Sequence, residues 1–221
     1  MAASFTAAEA ADRAAIIQTI DAVGFFADRN QWDRVAAQFA PDGVPLDYRS
    51  YAGATAGTGA EPKPQSPASV VAAWQTVLPG YEHTQHVIAN HQVTLAGDGA
   101  TVLSTVHATH LLAGEFWIFL GDYEHHLVRT AAGWKIDRMT ANLRGQLGNP
   151  ELPAKAAARV AAASAQPGWT GPAAAVVPAA WLLARQQPIP VERLEGRDHV
   201  VGLVEDQGRV LGPGHRHHAG R

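Results

Sequence analysis

Apolar positions at the start of the chain recur at helical spacing. Ile16, Ile17, Ile20, Val23 and Ala27 fall on one side of a helix. Thr6 and Glu9, three residues apart ahead of this run, form a capping-box pattern at its start. A second short helix carries Trp32, Val35, Ala36 and Phe39, with Asn30 placed to cap it and Pro41-Asp42-Gly43 to stop it. Val44 to Tyr48 reads as a short strand, and Gly53 to Pro67 as a loop rich in glycine and proline. Ser66-Pro67 is a helix start, leading through Val70, Val71, Trp74 and Leu78 to a stop at Pro79-Gly80. From Thr84 the period shortens to two. Four strands are predicted at 84–95, 100–112, 115–130 and 133–143, with Gly97-Asp98-Gly99, Ala113-Gly114 and Ala131-Ala132-Gly133 as hairpin turns. Helices set apart from an antiparallel meander define an α+β fold. A curved sheet wrapped around helices leaves an interior pocket suited to a small molecule.

The pattern breaks near Pro150. Residues 154–184 are dominated by alanine, with Pro167, Pro172 and Pro178 spaced through them, so they form neither one long helix nor a central strand. The chain has 221 residues, about one and a half domains at roughly 150 residues each. The division expected is therefore a domain at 1–149 and an Ala/Pro-rich, largely disordered extension at 150–221. Within the extension only His199 to Glu205 looks strand-like, and His215, His217 and His218 lie among glycines at the end. Hydrophobic residues make up 47% and charged residues 17%, enough apolar material for a core. The net charge of -3 lacks the basic excess that nucleic acid requires. With no cysteine, disulfides, thiolate metal sites and cysteine nucleophiles are excluded together. No run reaches the roughly 18 apolar residues of a membrane span, and Met1 to Ala11 lacks the basic start of an export signal; a soluble, cytoplasmic protein is expected.

Eleven histidines raise the question of which do chemistry. His86 shares a strand face with Ile88 and Asn90, opposite Gln85, Val87 and Ala89. His107 and His110 are three apart in a strand, so at most one looks inward, and the same parity separates His125 from His126. That parity argues against a histidine cluster for zinc, and no metal is expected. Asp28 follows the apolar Gly24-Phe25-Phe26-Ala27 at the end of the first helix, either a surface carboxylate or one held for a purpose. Tyr48 and Tyr51 can supply a hydroxyl to a carbonyl or a water, or simply pack. Trp117, Phe119, Tyr123 and His125 share one strand face, as core or as an aromatic wall for a flat ligand.

Taken together, Asp28-Arg29-Asn30-Gln31-Trp32, Asp47-Tyr48-Arg49-Ser50-Tyr51, Thr84-Gln85-His86, His110 and Gly133-Trp134-Lys135-Ile136 carry a family resemblance. From about Ala7 to Asn149 the chain resembles the SnoaL-like branch of the nuclear transport factor two-like superfamily, with scytalone dehydratase the nearest pattern. That superfamily includes polyketide cyclases, ketosteroid isomerases and a lindane dehydrochlorinase. The resemblance implies a cone of helices in a curved antiparallel sheet, and cofactor-independent lyase, isomerase or cyclase chemistry on a hydrophobic, aromatic or polyketide-like molecule. It implies that Asp28 orients and charges a histidine, that His86 is the general base or acid, that His110 is the second histidine and that Tyr48 polarises a carbonyl. Tyr51, Trp74, Trp117, Phe119 and Tyr123 are the expected substrate-binding residues. A homo-oligomer is compatible with the superfamily. The chain departs from the pattern at Ala27, Gly121 and Tyr123, where the relative has a tyrosine, a serine and an asparagine, so a different substrate is expected. A non-catalytic binding module of the same fold is the alternative. Epoxide hydrolysis ranks below both, since the interior strand faces offer histidine and aromatics rather than paired carboxylates around an arginine.

Overall fold

The computed structural model describes residues 5–49 and 62–165. Helix α1 spans Ala7–Ala27, and its capping box is present: the Thr6 hydroxyl accepts from the Glu9 N–H while the Glu9 carboxylate accepts from the Thr6 N–H. Its buried stripe is Ile16, Thr19, Ile20, Val23, Gly24 and Ala27, with Ile17 packed beside it. Helix α2 spans Trp32–Ala36 and starts at Gln31, with no side-chain cap. Asn30, the residue expected to cap it, instead ends α1. It sits at φ 54, and its N–H and that of Gln31 bond back to the Ala27 and Phe26 carbonyls. A left-handed asparagine closing a helix satisfies terminal carbonyls that would otherwise be orphaned. Helix α3, Pro67–Gln75, begins as expected: Ser66 accepts from the Ser69 N–H at 3.1 Å and proline holds the first turn.

The strands are β1 (Val44–Arg49), β2 (Pro64–Gln65), β3 (His83–Ala96), β4 (Gly99–Leu112), β5 (Glu115–Thr130) and β6 (Gly133–Gly148). They form one sheet in the order β2-β1-β6-β5-β4-β3. Strands β3 to β6 make the antiparallel meander expected from the sequence. The sheet is mixed, because β1 joins β6 in parallel, Leu46 opposite Met139 and Asp47 opposite Thr140. Strand β6 also runs five residues past the expected end at 143. Its last stretch pairs with the start of β5, Leu147 opposite Ile118.

Register shifts bend the sheet: one at Ala89/Gln92 in β3, and two where β6 carries an extra residue, Arg144 opposite Leu120/Gly121 and Asp137 opposite His126/Leu127 of β5. An extra residue in one strand raises local twist and curls the pair, and here it closes the sheet around α1 and α3. The core lies on the concave side: Ile16, Ile20 and Val23 of α1, Val70, Val71 and Trp74 of α3, and Val102, Leu127 and Ile136 of the sheet. Each such buried aliphatic side chain contributes about 1.5–3 kcal/mol. This is the α+β cone. A fourth helix, α4 (Leu152–Ser164), buries Leu152, Ala156, Ala157 and Val160 against the short turn Leu78–Gly80, just after the expected domain boundary at 149. The rest of the extension, from 166, lies outside the described residues.

Candidate active site

Asp28 follows directly on α1 and is still helical (φ -60, ψ -17), with its N–H bonded to the Gly24 carbonyl. That places its carboxylate beside the edge strand β3. One oxygen accepts from the His86 backbone N–H at 2.8 Å. The other lies 2.7 Å from His86 Nδ1 and accepts from the Thr84 hydroxyl at 2.8 Å. The two side chains are only 11% and 10% exposed, so the pair is nearly dry. Burial alone would raise the Asp28 pKa; the side-chain bond, charge and backbone N–H of His86, with Thr84, outweigh it and hold it below the usual carboxylate range. An ionised carboxylate only accepts, so His86 carries a proton on Nδ1, and in the neutral ring the lone pair is on Nε2.

His110 lies opposite Thr84 across the β3–β4 ladder and is 1% exposed. Its ring stands edge-on to that of His86, centroids 5.5 Å apart, and is held between Tyr81 at 4.8 Å and Trp117 at 4.9 Å. Nδ1 donates to the Trp117 carbonyl at 3.3 Å, which leaves Nε2 as the acceptor nitrogen. Burial, then the charge of His86, pushes its pKa down to about 3 against the opposing pull of the Trp117 carbonyl and Asp28. His110 is therefore neutral at physiological pH.

Tyr48 on β1 accepts from Trp74 Nε1–H at 2.8 Å, and burial pushes its pKa up to about 12, so it remains a phenol donor. Burial raises the pKa of Tyr123, and the charges of Tyr48 and then Asp28 raise it further. The aromatic file continues along β5, Trp117 to Phe119 at 6.4 Å, Phe119 to Tyr123 at 6.1 Å and Tyr123 to His125 at 5.7 Å. Of the expected substrate-binding residues, Phe119 and Tyr123 are half-buried and pack against the core. Trp117 is 2% exposed and clamps His110, with its Nε1–H donating to Gln146. Trp74 is buried and ties down Tyr48. Tyr51 lies outside the described residues.

The strand parities hold, with His110 and His125 inward and His107 and His126 outward. Asn90 departs from the face expected for it: it sits at φ 56 in the β3 irregularity and reaches outward to the Thr105 hydroxyl at 3.0 Å. The same irregularity turns His91 inward, where Nδ1 meets the Ser104 hydroxyl at 2.8 Å and Nε2 meets Asp21 at 3.1 Å. Period-two reasoning missed His91 because an extra residue inverts parity. It also gave no role to Thr84, Tyr81 or Gln146, which act only through their neighbours. Thr84 was visible in the Thr84-Gln85-His86 string; nothing in the sequence pointed to Gln146. Among the described residues no group of three or more histidines and carboxylates could hold a metal ion, and no helix is long and apolar enough to cross a membrane. Asp28 and His86 also border an open groove of about 770 Å³ between α1 and the outer edge of β3, alongside Phe25, Arg29 and Val87.

The bent sheet closed on helices is the cone fold of the nuclear transport factor two-like superfamily. Residues 8–140 match the SnoaL-like domain model, and the chain belongs to that family. Three solved structures show the similarity. The Kfla4162 protein from Kribbella flavida is 26% identical, with 63% of this chain and 95% of that one covered and a TM-score of 0.56. A candidate aromatic ring hydroxylase from Novosphingobium aromaticivorans is 25% identical, covering 64% and 96% with a TM-score of 0.54. A candidate scytalone dehydratase from the same organism is 20% identical, covering 64% and 89% with a TM-score of 0.52, and bears on the fold alone. No curated protein matches the chain.

Proposed function

We propose that the cone is the active site of a lyase of the dehydratase type, performing acid–base chemistry beside a carbonyl on a hydrophobic, aromatic or polyketide-like molecule. The observation that carries this reading is the nearly dry Asp28–His86 pair, whose tautomer leaves Nε2 as a base. His86 Nε2 takes a proton from the carbon next to the carbonyl. The C–H pair forms a carbon–carbon double bond, and the carbonyl π pair moves to oxygen, where the Tyr48 hydroxyl stabilises it as an oxyanion hole does. Asp28 stabilises the imidazolium so formed. The enolate then collapses, expelling a β-hydroxyl that takes the proton from His86 and leaves as water. His110, neutral and with Nε2 accepting, orients the hydroxyl rather than protonating it. These steps close with the side chains named. Reprotonation at another carbon would make the same site an isomerase, and attack on a second carbonyl a cyclase.

A second reading, a binding module without turnover, draws on Gly121. A Cβ there would collide with the Asn142 carbonyl and stand 2.8 Å from the Phe119 ring, so the wall cannot carry a polar side chain at this point. Incubation with a panel of ring-fused aromatic β-hydroxyketones in D2O separates the two. The lyase reading expects the ultraviolet absorption of a conjugated enone together with deuterium at the α-carbon of recovered substrate. Recovery of every panel member bound yet unchanged would favour the binding module.

A further inference from the structure

Asp21 and Gly24 of α1 and Asp28 directly after it lie at i, i+3 and i+7, a single stripe that faces β3. Gly24 lies in the last turn of α1, where a glycine brings no side-chain packing of its own. Its backbone is ordinary helix, so conformation does not explain it; proximity does. A Cβ added there would stand 2.9 Å from His86 Cβ, 3.3 Å from Ile88 Cδ1 and 3.6 Å from the His86 carbonyl oxygen. The helix therefore touches the strand at the residue that bears the base. On either side of that contact an Asp–His pair joins the two elements, Asp28 to His86 at 2.7 Å and Asp21 to His91 at 3.1 Å. The second pair exists only because the left-handed Asn90 and its register shift turn His91 toward the helix.

We propose that Gly24 is a positioning residue for His86: its missing side chain sets the spacing at which the Asp28 carboxylate spans both the backbone N–H and Nδ1 of His86, and Asp21–His91 is a second tether that keeps it. The inference rests on the reading of His86 as the base. Ordinary contact begins near 3.4 Å, so an alanine here must push helix and strand apart by roughly 0.5 Å. Bonds of 2.7 and 2.8 Å, stretched by that much, leave the range of charge-assisted hydrogen bonds. His86 then loses its fixed tautomer while the cone persists.

Gly24→Ala in the full chain is the test. The ring of His86 is read by long-range 1H–15N NMR, assigned by its disappearance in His86→Gln, alongside steady-state kinetics. The expected result is loss of the Nδ1–H signal bonded to Asp28, and kcat down by at least ~10-fold with KM within about threefold, the scale of sub-ångström misplacement. Adding Ile88→Val relieves the Ile88 contact alone; it should recover stability without restoring the ring signal, and it serves where the single variant folds poorly. Asp21→Asn should shift the same signal less. An unchanged His86 signal in Gly24→Ala, or its recovery in the double variant, overturns the inference. If the signal moves while Asp28→Asn leaves turnover intact, the reading of the reaction fails and the positioning role stands.

Discussion

Replacing Asp28 with asparagine keeps the shape of the side chain and changes one atom, and each of the three bonds it accepts responds differently. If the amide oxygen keeps the His86 backbone N–H at 2.8 Å, the NH2 group falls where an oxygen now meets His86 Nδ1 at 2.7 Å and the Thr84 hydroxyl at 2.8 Å. The NH2 donates, so Nδ1 must accept and the ring proton moves to Nε2, which then no longer accepts a proton. The flipped amide is worse, since it sets two donors against each other and leaves a buried N–H unsatisfied at about 1–3 kcal/mol. Loss of the charge-assisted bond to the imidazolium alone is worth ~1.5–3 kcal/mol, roughly 10- to 150-fold in rate. An inverted tautomer in a serine protease triad costs about 10⁴-fold, which marks the upper end. We expect kcat/KM to fall by ~10²–10⁴ with the fold retained and Tm lowered by about 3–12 °C, at roughly 2–4 °C per kcal/mol. Because the folded pKa of Asp28 is depressed, its stabilising effect is present above the unfolded value and lost as pH falls through the folded one. Wild type and variant should therefore converge in stability in acid. Turnover, circular dichroism and 15N NMR of the His86 ring read all of this. A folded variant within about threefold of wild-type activity would refute the reasoning.

Tyr48→Phe removes the proposed oxyanion donor and leaves Trp74 Nε1–H without its acceptor. We expect kcat down ~10²-fold and a stability loss of about 1–3 kcal/mol, measured by kinetics and urea midpoints. His125 is wholly buried, neither ring nitrogen has a hydrogen-bond partner among the described residues, and burial and then His91 push its pKa down to about 3. A histidine lowered on folding binds its proton mainly in the unfolded state, so it destabilises the fold as pH drops from about 6.5 toward 3. His125→Leu should flatten the fall in stability between pH 6 and 4 by up to ~1.4 kcal/mol per pH unit; an unchanged slope would show that the ring is not held neutral.

The cone was legible where local signals agree with packing. The Thr6–Glu9 box, the Ser66-Pro67 start and the alternation from Thr84 each specify their own element, and the structure keeps them. What escaped depends on partners far along the chain or on one inserted residue. The parallel pairing of β1 with β6 joins Leu46 to Met139, and no local pattern announces it. The irregularity at Asn90 reverses the side-chain parity that placed it beside His86. Asn30 carries the composition of a helix start and serves as a helix stop, since the left-handed conformation suits both its backbone and the end of α1. In the candidate site, Asp28, His86 and His110 were proposed through motif resemblance, since each bears its own chemistry. Thr84, Gln146 and Gly24 act only by holding another residue, so their type alone reveals nothing.

The central claim is that His86 moves the proton. Comparing α-carbon deuterium exchange by wild type and His86→Ala, on any substrate turned over in the β-hydroxyketone panel, tests it most directly. The account predicts a fall of at least ~100-fold with circular dichroism unchanged, the usual scale for a general base. Exchange at the wild-type rate in a folded His86→Ala protein would contradict it.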